Sequence, residues 1–250
     1  MRWTSPLRLL GAAALGALLV SGPALAGRVA PTLPADVPAA ARARLAPITD
    51  HPSVATRVQG EQFVARRDVF EYLLDHPEFA THVTQTLKLA RYRIWPTPEG
   101  LALDDGWGTV GTFELVYAGR GARVMYAKGE YHQRLLPNVR GQAVVTVEWT
   151  AAPAPDGKSV LTPTVGAFVK LDGRLMALAG KLATAVASSK ADKEANRLAK
   201  VFARTTRAID DNPTAVMEAL RRRPDVPKRE LEEFGRLLSV PAAAAAPPVR

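Results

Sequence analysis

The change of hydrophobic period near Asp172 is the feature that most constrains how this chain can fold. From Arg91 up to Asp172, β-branched and aromatic residues alternate with polar ones in runs separated by Gly, Pro, Asn and Asp, a pattern typical of β-strands. Beyond it, no proline occurs before Pro213 and apolar residues recur every three or four positions, which indicates a long helix. The sequence therefore predicts an α+β fold, in which a β-rich region precedes one extended helix.

Six strands are predicted in the β-rich region, and the clearest hairpin turn is Gly119-Arg120-Gly121. The long helix is expected to begin after Asp172, which can cap it, and to soften at Ser188-Ser189. The strands are expected near residues 91–95, 99–104, 109–118, 121–132, 141–150 and 159–171.

A short strand and two short helices are predicted before this region. Residues 56–65 have the composition of a strand. Asp68 is expected to cap the first helix, with Glu71 three residues later completing the capping pattern. His76-Pro77 separates the helices, because proline cannot continue a helix but suits its first turn, so the second helix should run from Pro77 to about Leu87.

Prolines also divide the end of the chain. Asn212-Pro213 closes the long helix and begins a shorter one, and Pro224 and Pro227 bracket the start of another that reaches about Leu238. Residues 213–240 therefore form a helical extension. Residues 241–250, rich in Ala and Pro, are expected to be a disordered tail.

The first 26 residues have the layout of a secretory signal peptide. Arg2 and Arg8 supply positive charge, residues 9–20 are apolar, and Ala24-Leu25-Ala26 offers a cleavage site. An uncleaved anchor is the alternative, but the apolar run is shorter than the roughly 20 residues that span a bilayer. Residues 27–55 read as a Pro/Ala-rich spacer.

The signal-like segment, with no later segment apolar enough to cross a bilayer, predicts a soluble exported protein, periplasmic or secreted. The chain contains no cysteine, which excludes a disulfide framework and a lipid-anchoring cysteine. Its formal charge is +9, and loss of Arg2 and Arg8 with the signal would leave +7. Such a balance favours anionic partners, membrane surfaces among them.

Basic residues follow one face of the long helix. They recur at steps of three and four and fall within about a 100° arc, so they could contact anionic lipid headgroups. A solvated outer face is the alternative. Nucleic acid is disfavoured, because export removes it and no aromatic residues interleave the stripe. The residues expected to contact the membrane are Lys190, Lys193, Arg197, Lys200, Arg204 and Arg207.

The stretch "DDGWGTVGTFELVYAG", residues 104–119, contains glycines at the spacing G-x-G-x-x-G. A dinucleotide-binding loop would follow a strand and open a helix, whereas here a strand follows. A protein-kinase reading, with Lys128 on the next strand, lacks the H-R-D and D-F-G motifs. The glycines are therefore expected to serve a turn and a bulge or close packing.

Candidate catalytic and metal-binding residues are few. Glu78 and His82 lie one helical turn apart, but two ligands do not complete a tetrahedral metal site. Glu130 and His132 could share one strand face as an acid–base pair, with a solvent-facing pair as the alternative. No G-x-S-x-G motif for nucleophilic catalysis occurs, and an enzyme is the less favoured interpretation. Neither a cofactor nor a metal is expected.

The stretch "GEQFVARRDVFEYLLDHPEFATHV", in which Val69-Phe70 precedes "LLDHPEF", resembles the opening of the START-like superfamily, also called SRPBCC or helix-grip. With the order of elements that follows, the resemblance covers about residues 56–212. It implies a curved antiparallel sheet that grips a long C-terminal helix and a hydrophobic ligand held between them. The longer helix and the extension at 213–240 depart from the family pattern and could cover or gate the cavity.

The resemblance implies a protein that binds a lipid or other apolar small molecule. Together with the signal-like segment and the basic stripe, it predicts an exported protein that meets anionic membranes through its basic helix. A filled apolar core is the alternative to a cavity. The rival functions are a cyclase or hydrolase of the same fold using Glu130, Tyr131 or His132, and an envelope interaction protein without a cavity. The expected ligand-binding residues are Phe113, Leu115, Tyr117, Tyr126 and Trp149, with Leu178 and Leu182 opposite.

Overall fold

A computed structural model describes residues 30–132 and 138–240, with the backbone alone over residues 173–186. The predicted signal peptide at 1–26 and the predicted tail at 241–250 lie outside these residues. Within the described residues, none of the helices combines the length and the apolar character needed to cross a membrane.

Eight strands form one antiparallel sheet. The strands are β1 (Val54–Gln59), β2 (Phe63–Ala65), β3 (Arg93–Thr97), β4 (Gly100–Asp104), β5 (Thr109–Gly119), β6 (Ala122–Tyr131), β7 (Val139–Pro153) and β8 (Ser159–Leu171). Their order across the sheet is β1-β8-β7-β6-β5-β4-β3, and β2 also pairs with β8. The six strands predicted between Arg91 and Asp172 are present with bounds shifted by a few residues.

The strand expected over residues 56–65 is divided into β1 and β2 by a break at Gly60. The facing residue on β8 is Pro163, which has no N–H to offer a ladder, although its carbonyl accepts from Gly60 N at 2.8 Å. A Cβ on Gly60 would lie 2.8 Å from the Cβ of Ala199, so the break also admits close approach of the long helix.

Six α-helices are described. The long helix α4 (Gly173–Asp211) has 39 residues, about 58 Å at 1.5 Å per residue. It continues through Ser188-Ser189 without the softening expected there. Asp172 occupies its N-cap position, and Asn212 caps the next helix by accepting from Ala215 N at 2.9 Å. The helices are α1 (Ala39–Thr49), α2 (Arg67–Asp75), α3 (Pro77–Thr86), α4 (Gly173–Asp211), α5 (Pro213–Arg221) and α6 (Lys228–Leu237).

The capping pattern expected at Asp68 is wrong. The N-cap of α2 is Arg66, so Asp68 already lies in the first helical turn. Glu71 accepts from Arg67 Nε at 2.7 Å rather than reaching back to a cap. An acidic residue in the first turn still stabilises α2, because it lies near the positive end of the helix dipole.

A row of three glycines lets the sheet curve. Gly111, Gly129 and Gly141 are paired across β5, β6 and β7. A Cβ on any of them would lie 2.4 Å from a carbonyl oxygen of the neighbouring strand. Only glycine tolerates so close an approach, so this row marks a sharp bend across the middle strands.

The segment predicted as a Pro/Ala-rich spacer instead packs on the outer face of the sheet, from residue 30 onward. Leu45 and Ile48 of α1 are buried against Val124, Val144 and Phe168. The low content of large apolar residues concealed this role, because these two lie three positions apart and are sufficient to anchor one face of the helix.

The helical extension forms a core of its own with α2, α3 and the end of α4. Phe79, Ile209, Met217, Leu220 and Phe234 are all almost fully buried there. The inner face of the curved sheet packs instead against α4 from about Ala187 to Thr206. The result is an α+β helix-grip architecture with added C-terminal helices, as the sequence predicted.

Candidate functional site

A cavity of about 430 Å³ lies between the inner face of the sheet and α4. Its space arises because small residues face each other, Ala191 and Ala195 on the helix and Ala127, Ala143 and Ala167 on the strands. Larger apolar side chains complete the wall, among them Phe113, Met125, Val145, Val165, Leu198 and Phe202. A protein interior normally fills such space, so the arrangement provides room for a ligand.

Three of the expected ligand-binding residues lie on or near the inner face of the sheet. Phe113 lines the cavity. Trp149 is buried against Phe70, with ring centroids 5.3 Å apart, and belongs to a packed cluster rather than to the cavity wall. Leu115 is 44% exposed and does not line the cavity either.

Tyr117 and Tyr126 lie on the outer face, which corrects their expected position. Both pack against the cluster beneath α1, and Tyr126 Oη donates to Gln142 Oε1 at 2.9 Å. For Tyr117 the reason is a β-bulge between Leu115 and Tyr117, which breaks the alternation that would otherwise point its side chain inward. Tyr126 lies between Met125 and Ala127, which both line the cavity, so it points outward.

The predicted helix residues Leu178 and Leu182 lie outside the part of the chain whose side chains are described. Within the part of α4 whose side chains are described, residues between 187 and 206 line the cavity. No residue beyond Thr206 lines this cavity in the described chain, so the extension at 213–240 does not cover it as expected.

One end of the cavity is polar, and the glycine-containing turn after β4 forms it. Asp105 is 3% exposed, and its Oδ1 accepts from the backbone N–H groups of Trp107 at 2.7 Å and Thr109 at 2.9 Å. Gly106 and Gly108 have φ values of +72° and +103°, which favour glycine. The motif is therefore a turn, as expected, and it directs an acidic side chain toward the cavity.

Asp105 is joined to α4 by Lys190, whose Nζ lies 2.5 Å from Asp105 Oδ2 and 3.0 Å from Glu194 Oε1. Arg197 donates to Glu194 Oε1 at 2.5 Å, and Tyr92 Oη donates to Glu194 Oε2 at 3.0 Å. Charges of alternating sign therefore extend from the turn along the helix. Such pairing offsets the cost of burying each charged group.

Protonation of these groups follows from their contacts. Burial raises the pKa of Asp105, but donation from Lys190 and the backbone N–H groups outweighs it and holds the pKa below the usual range. Burial, and then the charge of Glu194, raises the pKa of Tyr92. At neutral pH, Asp105 is therefore ionised, while Tyr92 keeps its proton and donates.

The basic stripe is divided between the interior and the surface. Lys190 lines the cavity, with its Nζ 4.8 Å from the ring centroid of Tyr131, and Arg197 lies 3.7 Å over the ring of Trp107. Both side chains are therefore engaged in contacts where α4 meets the β4–β5 turn, and they are not available for membrane contact. The exposed members are Lys193, Lys200, Arg204 and Arg207.

Glu130 and His132 form an ion-pair geometry at the margin of the cavity, whose lining includes Glu130 and Arg140 but not His132. His132 Nε2 lies 3.0 Å from Glu130 Oε1, and Arg140 Nε donates to Glu130 Oε2 at 2.7 Å. The adjacent Tyr131 points inward to Lys190. By strand alternation the acid–base pair points outward, which agrees with the solvent-facing alternative and leaves the enzyme interpretation without its proposed pair.

His82 and Glu78 do not begin a metal site. His82 Nδ1 lies 3.4 Å from Asp225 Oδ2, in contact with the helical extension. Over residues 30–132 and 138–240, no group of three or more potential metal ligands is found.

The network of Asp105, Lys190 and Glu194 was not predicted from the sequence. Asp105 and Lys190 are 85 positions apart, and the lysine had been placed in a surface stripe because its spacing matched. The one available signal was an acidic residue next to a glycine turn at a strand end, where side chains often reach a binding site.

Comparison with solved structures finds small domains at low similarity. A hypothetical protein from Helicobacter pylori is 11% identical, with a TM-score of 0.35 over 60% of this chain and 88% of its own. Norcoclaurine synthase from Thalictrum flavum is 15% identical, with a TM-score of 0.28 over 55% and 93%. An aromatase/cyclase from Streptomyces sp. R1128 is 15% identical, with a TM-score of 0.25 over 68% and 96%.

No family model matches the sequence, and no curated protein matches it.

Proposed function

We propose that the protein binds an apolar small molecule, such as a lipid, in the cavity between the sheet and α4. The volume of about 430 Å³ lies within the range of about 300–1,000 Å³ typical of ligand pockets. The wall is largely apolar. Its charged residues are Asp105, Lys190 and Glu194 at one end, and Lys128, Glu130 and Arg140 on β6 and β7. Transfer of an apolar chain from water to such a wall is favourable by about 25 cal/mol per Å².

The observation that carries this proposal is the set of alanines that face each other across the cavity. Ala191 and Ala195 on α4 lie opposite Ala143 and Ala167 on the strands. A filled core would need larger side chains at these positions. Their small size leaves the space that a ligand would occupy.

We also propose that the protein is exported and meets anionic membranes. The signal-like residues 1–26 support export. The four exposed basic residues on α4, Lys193, Lys200, Arg204 and Arg207, support membrane contact, because each basic residue near an anionic surface contributes about 1 kcal/mol. Cosedimentation of the mature protein with anionic vesicles, but not with neutral ones, is expected. Equal sedimentation with both would contradict this part of the proposal.

Ligand binding is tested by native mass spectrometry and lipid extraction of the purified mature protein. An added mass that is removed by organic extraction is expected. A protein of the bare chain mass that also fails to bind N-phenyl-1-naphthylamine, an uncharged apolar dye, would overturn the proposal.

A matched pair of variants tests whether the ligand occupies this cavity. In Ala195→Phe the ring would enter the space and is expected to weaken dye binding by about tenfold or more, because it displaces ligand volume. The neighbouring Asn196 is exposed, so Asn196→Phe is the control and should bind the dye like the unmodified protein. Equal affinities of the two variants would place the dye elsewhere.

A further inference from the structure

At the polar end of the cavity, some hydrogen-bond donors and acceptors are used within the protein and others are not. The ammonium group of Lys190 has three N–H donors, of which Asp105 and Glu194 accept two. The third has only the face of the Tyr131 ring as a neighbour among the described groups. Glu194 Oε2 accepts from Tyr92 Oη and retains a second lone pair. One donor and one acceptor are therefore left for a ligand.

The charged groups at this end are already paired. Lys190 contacts the carboxylates of Asp105 and Glu194, and Arg197 donates to Glu194 from beside Trp107. The other charged residues that line the cavity belong to β6 and β7 and are Lys128, Glu130 and Arg140. A ligand carboxylate placed here would compete with Asp105 and Glu194 for Lys190, would approach those like charges, and would lose its hydration.

A cationic ligand head is disfavoured for a different reason. An ammonium group has donors and no acceptor, so it could not satisfy the remaining N–H of Lys190. It would also approach that positive charge within the low-dielectric interior. A carboxylate would therefore be repelled by Asp105 and Glu194, and an ammonium group would be repelled by Lys190.

We propose that this end of the cavity selects an uncharged oxygen head group, a hydroxyl or a carbonyl, on an apolar chain. This inference rests on the proposed function and specifies the class of its ligand. A hydroxyl oxygen accepts from Lys190, and its proton is donated to Glu194, so that both remaining positions are used. A carbonyl satisfies Lys190 alone and is the weaker fit.

The experiment uses displacement of N-phenyl-1-naphthylamine from the mature protein by three ligands of one chain length. These are 1-dodecanol, dodecanoate and dodecylammonium, each below its micelle-forming concentration at neutral pH. Dodecanol is expected to displace the dye at a concentration about tenfold or more below that of either ion. Displacement by dodecanoate or dodecylammonium at an equal or lower concentration would overturn the inference while leaving the proposed cavity intact.

Failure of the dye itself to bind is a separate outcome. It would overturn the proposed function, and the inference with it. The two failures are therefore distinguished by the first titration, before any competitor is added.

Variants identify the residues responsible. Asp105→Asn keeps an oxygen for the N–H groups of Trp107 and Thr109 but removes one repelling charge, so the ratio of dodecanoate to dodecanol affinity is expected to rise about tenfold. Asp211→Asn removes an exposed carboxylate from the same helix and should leave this ratio unchanged. A structural role for Asp105 alone would lower stability without changing the ratio, and an unchanged ratio in folded protein would contradict the assignment.

A second variant covers the case in which Asp105→Asn fails to fold. Glu194→Gln removes the other cavity-lining carboxylate and keeps an amide oxygen for Tyr92. The same rise in the ratio is expected, and its absence in folded protein would count against the inference equally.

Discussion

The carboxylate of Asp105 depends on two kinds of contact. Its own turn supplies two backbone donors, which the local sequence Asp-Gly-Trp-Gly-Thr arranges through positive φ values at both glycines. The third donor comes from Lys190 on α4. The turn alone could therefore hold the carboxylate, but without the lysine its charge would be buried with incomplete compensation.

This arrangement predicts how stability depends on pH. The pKa of Asp105 is lower in the folded protein than in an unfolded chain, so the unfolded state binds more protons at mildly acid pH. The stabilisation is present above the ordinary pKa of about 4 and is lost as pH falls through the depressed one. Asp105→Asn should therefore lose less free energy of unfolding than the unmodified protein between about pH 5 and pH 3. Urea unfolding at several pH values measures this difference.

The control for the pH experiment is Asp36→Asn, which removes an exposed carboxylate. Its pH dependence should follow that of the unmodified protein. An Asp105→Asn profile parallel to both would show that the buried carboxylate does not contribute to acid sensitivity.

The curvature of the middle strands, β5, β6 and β7, depends on glycines that the hydrophobic pattern does not explain. Gly129 lies between Gly111 and Gly141, and their missing side chains allow the strands to bend toward α4. This bend contributes to the wall on which the cavity depends.

Gly129→Ala is expected to lower the free energy of unfolding by about 2 kcal/mol, because its Cβ would lie 2.4 Å from the carbonyl oxygen of Val110 and the strands would have to move apart. The control is Gly157→Ala, where an added Cβ has nothing within 4 Å and the cost is the positive φ of +69°, about 1 kcal/mol. Denaturant unfolding of both variants gives the comparison. Equal losses would show that the close approach at Gly129 is relieved without cost.

Helix α1 is part of the folded unit, although its composition resembles a linker. Leu45 is fully buried, so Leu45→Ala should lower the free energy of unfolding by about 3 kcal/mol. Ala43 is exposed on the same helix, and Ala43→Ser should change it by no more than about 0.5 kcal/mol. Thermal or urea unfolding tests this pair, and a small effect of Leu45→Ala would indicate that α1 detaches readily from the sheet.

The helices after α4 pack in a core that is distinct from the cavity. The sheet, α2, α3 and α4 line the cavity, whereas α5 and α6 pack with α2, α3 and the end of α4 in a second core. Phe234 is fully buried in that second core and does not line the cavity.

Phe234→Ala should therefore destabilise the protein by about 3–5 kcal/mol and leave the Kd for N-phenyl-1-naphthylamine unchanged under conditions where the variant is folded. Circular dichroism during urea unfolding and a dye titration measure the two quantities. A weaker dye Kd in folded variant would show that the extension acts on the cavity after all.

Much of the secondary structure followed from local signals. Alternation identified the six strands between Arg91 and Asp172, and prolines at 77 and 213 marked helix starts, because the period of a strand or helix and the missing N–H of proline are properties of adjacent residues. The succession of these elements predicted the helix-grip architecture through its resemblance to the START-like superfamily. Among the expected ligand-binding residues whose side chains are described, Phe113 reaches the cavity wall.

The remaining features depend on contacts between distant residues. A single bulged residue changed the face of Tyr117, and the approach of α4 to the β4–β5 turn converted Lys190 from a surface cation into a cavity residue. The partner of Lys190 is 85 positions away, and neither residue's local sequence specifies the other. The periodicity of a sequence assigns a side chain to one face of a strand or helix. Whether that side chain is buried, and which group it pairs with, depends on the element that packs against that face. In this protein only the tertiary packing of the sheet against α4 determined both.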